Sequence, residues 1–100
     1  MQQKERWLWK EDGPSKRFQK KFHRRHFKLH GSICQYSAQK GGKTLGVIDC
    51  TTLHGVTEPV WIRAKTPHCD VLMCCVSIVM SERTIRVCAE REQDITEWRL

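Results

Sequence analysis

No stretch of this 100-residue chain is apolar for long enough to cross a bilayer: the longest apolar run, Val71 to Met80, is broken by Ser77 and is far short of the roughly 18–20 residues of a spanning helix. The opening Met1-Gln2-Gln3-Lys4-Glu5-Arg6 has none of the charged-then-apolar layout of a secretory signal, so the expected location is cytoplasmic. Signatures of catalysis are missing too. There is no phosphate-loop sequence, no H-E-x-x-H, no nucleophile elbow, and nothing that organises a cysteine–histidine pair or two carboxylates. A non-enzyme is expected, with no cofactor. Cys74 and Cys75 are adjacent, no C-x-x-C occurs, and His68-Cys69 has no second pair at finger spacing, which excludes a zinc site. The six cysteines show no small-scaffold spacing, so they are expected to be reduced and to act as small apolar residues in strands. Internal repeats and low-complexity tracts are absent.

What is present is a mixture that folds. Apolar residues make up 39% and charged residues 29%, too apolar and too evenly mixed for a disordered tail, and the length suits one domain over residues 1–100 with one core. The net charge of +7 is unevenly spread: residues 1–43 hold twelve Lys and Arg against three acidic residues, and residues 44–100 hold six against eight. The basic first third points to an anionic partner: phosphate headgroups, nucleic acid or an acidic protein. A merely solvated basic face is the plain alternative.

Along the chain, Arg6-Trp7-Leu8-Trp9-Lys10 reads as a strand ended by Asp12-Gly13-Pro14-Ser15, which is turn chemistry. Lys21 to His30 admits two readings. Phe18, Phe22 and Leu29 fall at helical intervals with Gly31 able to close a basic amphipathic helix, whereas the alternation of Phe27 and Leu29 and the strand-like Ile33-Cys34-Gln35-Tyr36 after a Gly31-Ser32 turn favour a hairpin. Further strands are predicted over Leu45–Cys50, Val71–Met80 and Thr84–Cys88, the last two joined at Ser81-Glu82-Arg83. From Glu90, the acidic Glu90, Glu92 and Asp94 load the first turn of a helix that presents Ile95 and Trp98 to the core.

These pieces, taken in order, resemble a pleckstrin-homology (PH) domain over nearly the whole chain. Trp7-Leu8-Trp9-Lys10 is similar to that family's first strand and Phe22-His23-Arg24-Arg25-His26-Phe27-Lys28-Leu29 to its second; Ile33–Tyr36 and Gly46–Cys50 match the third and fourth. Arg83–Ala89 followed nine residues later by Trp98 resembles the last strand and the helix tryptophan. Arg6 stands where a glycine is usual, and Val56 to Cys74 matches nothing well. The resemblance implies a mostly β (α+β) fold, a PH-like seven-stranded bent antiparallel barrel or sandwich capped by a C-terminal helix. It also implies a module of a larger protein, with that helix cut short at Leu100.

Strand alternation then says which cations converge. With Leu8, Phe27 and Leu29 inward, Lys10, His23 and Arg25 share that face at the strand ends nearest the first loop, lining the barrel mouth. An inward charge deeper in the core would cost several kcal/mol. Trp7 and Trp9 fall on the opposite face, and Arg24 and Lys28 form an outward stripe. Phosphoinositide-binding members of the family place a lysine at the end of strand one, a basic-x-arginine in strand two and a tyrosine in strand three. The resemblance therefore implies headgroup contacts from Lys10, Arg25 and Tyr36, with His23 in place of the usual lysine or arginine. The loop adds Lys16, Arg17, Lys20 and Lys21 for an anionic leaflet at about 1 kcal/mol each, and Phe18 is expected to pack on the rim. The expected phosphoinositide site is thus Lys10, Arg17, Lys20, His23, Arg25 and Tyr36 on a monomer that recruits its parent signalling or adaptor protein to membranes. The alternative is a PH-like protein-interaction module with little lipid specificity. Nucleic-acid binding, with Trp7, Trp9 and Phe22 as stacking candidates, is disfavoured by the resemblance.

Overall fold

The computed structural model describes residues 3–11 and 21–97. In chain order these form β1 (Gln3–Glu11), β2 (Phe22–His30), β3 (Ile33–Ser37), β4 (Thr44–Asp49), a 3-10 turn (Cys50–Thr52), β5 (Leu53–Val56), β6 (Val60–Lys65), β7 (Asp70–Met80), β8 (Thr84–Ala89) and α1 (Glu92–Thr96). Residues 22–30 are therefore strand: β1 and β2 pair without interruption from Gln3↔His30 to Glu11↔Phe22. Gly31, at φ 64°, supplies the left-handed residue that a two-residue reversal into β3 requires.

The sheet is antiparallel throughout, in the order β4-β3-β2-β1-β8-β7-β5, with β6 also on β7. β6 covers Asp70–Cys75 and β5 covers Ile78–Met80 of the same strand. They share one lane, interrupted by Thr57-Glu58-Pro59, where proline has no N–H for a ladder. Eight strands thus occupy seven lanes, and the sequence left Val56 to Cys74 unassigned because this lane is a half-exposed edge: Val60 and Trp61 are 55% and 50% exposed. The two halves join only at Trp9↔Cys88 and Lys10↔Val87, so the sheet curls there into a half-barrel. A bulge between Tyr36 and Ser37 bends the β3–β4 pair, and Arg83, in the turn before β8, donates from Nη2 to the Val47 carbonyl at 3.0 Å.

The concave face buries Leu8, Phe27, Leu29, Ile48, Val76, Ile85, Val87 and Ile95 in one cluster, as alternation predicts for Leu8, Phe27 and Leu29. Ile95 is fully buried; Trp98 lies outside the described residues. The helix starts two residues later than expected, at Glu92. A second apolar cluster, Phe22, Ala64, Met73, Cys75 and Cys88, lies on the other face with Trp9 packed against it. Phe22, only 3% exposed, is spent on packing and is unavailable for stacking.

One expectation about the cysteines is corrected. Cys75 and Cys88 are joined in a disulfide across β7 and β8, directly opposite each other with their Cα atoms 4.1 Å apart, the spacing of a narrow cross-strand pair. The expectation of six reduced thiols rested on spacing along the chain, whereas a hairpin sets its own pairs: counting outward from the turn at Ser81-Glu82-Arg83 places these two opposite each other. Cys34, Cys50, Cys69 and Cys74 are free thiols. No helix of the described residues is long and apolar enough to cross a membrane.

Candidate functional site

The β1–β2 register fixes the site. Opposed residues share a face of an antiparallel pair, and the pairs Lys4↔Leu29, Arg6↔Phe27, Leu8↔Arg25 and Lys10↔His23 form the concave face of the ribbon. Four of these eight residues are Lys or Arg, on a face that elsewhere is apolar core.

At one end the arginine is matched by acids. Arg6 donates from Nη1 to Asp94 Oδ1 at 2.7 Å and from Nη2 to Glu97 Oε2, and Lys4 Nζ reaches the Glu97 carbonyl oxygen at 2.7 Å. Arg91 also bonds Asp94. The short α1 is thereby tied to β1 by charge as well as by Ile95. The position of Arg6, where the resemblance has glycine, is explained by these partners.

At the other end the arrangement differs. Lys10, half-buried, donates to its neighbour's Glu11 carbonyl at 3.2 Å and holds its Nζ 5.1 Å from the centre of the Tyr36 ring, a cation–π distance. Arg25 donates from Nη1 to the Arg24 carbonyl at 3.1 Å. Neither is ion-paired with a carboxylate among the described residues. Glu11 points to the opposite face and pairs with Arg86 at 3.1 Å. Tyr36 sits opposite Phe27 and Gly46. Its ring lies 5.3 Å from that of Phe27, and a Cβ at Gly46 would come within 2.2 Å of its hydroxyl. Only glycine leaves room for the ring there, so the hydroxyl is laid along β4.

Lys10, His23, Arg25 and Tyr36 thus share one concave face spanning three adjacent strands, with Tyr36 only 7% exposed and packed into the core cluster. Arg17 and Lys20, expected to join them, lie outside the described residues, as do Lys16 and Phe18. The outward residues depart from expectation in one respect. Arg24 is not a freely solvated charge, because its guanidinium lies 4.8 Å over the Trp7 ring. Trp7 in turn meets the buried His26 edge-on at 5.1 Å.

Between the two charged ends the concave face is apolar. Burial there pushes the Cys34 thiol up to about 12, with nearby Cys50 adding to the rise, so Cys34 is a packing group and not a nucleophile. Among the described residues no cluster of His, Cys, Asp and Glu is arranged to hold a metal ion. The chemistry on offer is hydrogen-bond donation and positive charge, which suits recognition of phosphate oxygens. No protein-family model matches the sequence, and no curated protein matches it.

Proposed function

We propose that this chain is a non-catalytic module with a PH-like fold that binds phosphoinositide headgroups and an anionic membrane surface, recruiting a larger protein through Lys10, His23, Arg25 and Tyr36. The lane order supports the fold reading: a half of four lanes and a half of three lanes meet where β1 pairs β8, and a helix follows the last strand. One observation carries the functional reading. Lys10 and Arg25 reach the concave face with no carboxylate partner among the described residues, Lys10 lying over the Tyr36 ring, while Arg6 at the other end of the same face is matched by Asp94 and Glu97. Lysine contributes a mobile charge and arginine a planar fork for a polyphosphorylated ring.

Sedimentation with vesicles of neutral lipid, with and without added phosphoinositide, tests the proposal. Phosphoinositide-dependent retention that falls about tenfold in Arg25→Ala, as expected for one lost charge-assisted bond, supports it. Equal retention on both vesicles by both proteins overturns it.

The protein-interaction alternative has an observation of its own. Trp61 and Leu72, diagonal neighbours across β6 and β7, are 50% and 56% exposed, an apolar pair of the kind that partner proteins cover. Partner capture that depends on Trp61, without vesicle retention, favours that reading.

A further inference from the structure

The convex face carries a polar hollow that the functional reading above does not use. Two cross-strand rows form its floor: Glu5, Lys28 and Gln35 stand opposite one another on β1, β2 and β3, and His26, Ser37 and Thr44 do so on β2, β3 and β4. The β3–β4 turn supplies its wall. Gly41 at φ 73° lets the chain reverse, and the Gly42 amide closes the turn on the Gln39 carbonyl at 3.0 Å, setting Lys40 at the edge of the same hollow. The cavity measures about 280 Å³.

Its lining is unusual for a surface between strands. His26 is only 6% exposed yet borders the hollow, with Nε2 3.8 Å from the Glu5 carboxylate and its ring braced by Trp7. A nearly buried imidazole beside an open concavity is a held donor or acceptor, positioned before any ligand arrives. Ser37 is already committed to the Gln39 carbonyl at 2.6 Å, which leaves Thr44 as the hydroxyl at the rim. Two lysines, a carboxylate, a carboxamide and an imidazole converge.

This set discriminates by chemistry. Lys28 and Lys40 match the two charges of a phosphomonoester. Glu5 repels a bare anion but accepts hydrogen bonds from hydroxyls, and Gln35 can donate to or accept from them. We propose that the hollow binds a small phosphorylated polyol, its phosphate held between Lys28 and Lys40 and its hydroxyls read by Glu5 and Gln35. The ligand is either a free polyol phosphate or the headgroup of a phosphorylated lipid. The proposal stands apart from the concave site, whose cations Lys10 and Arg25 lie on the other face of the ribbon; Tyr36 alone borders the hollow as well.

Amide-shift titration of the full chain with myo-inositol 1-phosphate, inorganic phosphate and myo-inositol tests it. The phosphorylated polyol is expected to bind about tenfold more tightly than either fragment, with shifts centred on Gly41, Gly42 and Thr44. Lys28→Gln combined with Lys40→Gln weakens it at least about tenfold, Glu5→Gln erases the preference over inorganic phosphate, and Arg63→Gln changes neither. Equal binding of polyol phosphate and phosphate by the parent chain, shifts confined to the amides of Lys10, His23 and Arg25, or an unaffected double variant with unchanged melting would each overturn the proposal. Vesicles containing phosphatidylinositol 4-phosphate separate the sources. Retention that the double variant loses identifies a lipid headgroup, and binding of the free ligand alone identifies a soluble one.

Discussion

At one end of the β1–β2 ribbon Arg6 points inward and meets the carboxylates of Asp94 and Glu97, beside Lys4 on the Glu97 carbonyl; at the other, Lys10 and Arg25 point inward and, among the described residues, meet backbone carbonyls. The residue types, the alternation and the face are the same. What differs is the arrival of α1, whose acidic first turn covers one end only. An inward cation whose carboxylate partners the fold supplies, as for Arg6, is structural; Lys10 and Arg25 have no such partner among the described residues. Sequence alternation alone cannot separate the two cases.

Four measurements test that contrast. The largest effect is expected from Gly46→Ala, which drives a methyl into Tyr36 and pushes the ring away from Lys10. Such overpacking costs up to about 3 kcal/mol, read as a drop in urea midpoint, and headgroup affinity falls with it. Unchanged stability would mean that Tyr36 does not hold the ligand end in shape.

Next comes the apolar middle. Cys34 titrates at about 12 in the fold against an ordinary thiol value of 9.0. A thiol raised by folding contributes its full stability below pH 9 and loses it as pH climbs toward 12, because the unfolded chain ionises first. At pH 11 the loss is on the order of a few kcal/mol. Cys34→Val should flatten alkaline unfolding, and an unaltered alkaline limb would refute the assignment.

Third, Arg6→Ala removes a half-buried ion pair with Asp94, whose side chain is 17% exposed, and should cost about 2 kcal/mol. Arg25→Ala should stay within about 0.5 kcal/mol while lowering vesicle retention. Equal destabilisation by both would erase the distinction between the ends. The smallest effect belongs to Asp49. Its carboxyl is held below the usual value by hydrogen bonds from the Thr51 hydroxyl and amide. The stability it adds is present above its ordinary pKa of 3.8 and fades as pH falls through the lowered value. Asp49→Asn should slightly flatten acid unfolding, and no change would dismiss the cap.

Much of the ribbon could be read in advance, because period-two alternation of Leu8, Phe27 and Leu29 is a local signal. So was the turn at Ser81-Glu82-Arg83, where the Met80 amide meets the Arg83 carbonyl at 2.9 Å. The role of Arg6 was not readable, since its partners stand 88 and 91 positions away and nothing nearby announces them. β6 was missed because Val-Trp-Ile-Arg-Ala-Lys mixes two exposed apolar residues with a half-covered face, which blurs the pattern that burial would otherwise impose. The convex hollow depends on a register across four strands and on the fold of a glycine turn, and neither is written in any single segment.

The reach of Arg83 onto the Val47 carbonyl guards the molecule against itself. β4 ends the sheet with Leu45 and Val47 uncovered, the kind of bare margin on which a foreign strand can template fibril growth. Any incoming strand must first dislodge a guanidinium from that backbone oxygen. Neutralising this one side chain would leave that carbonyl open to an added strand.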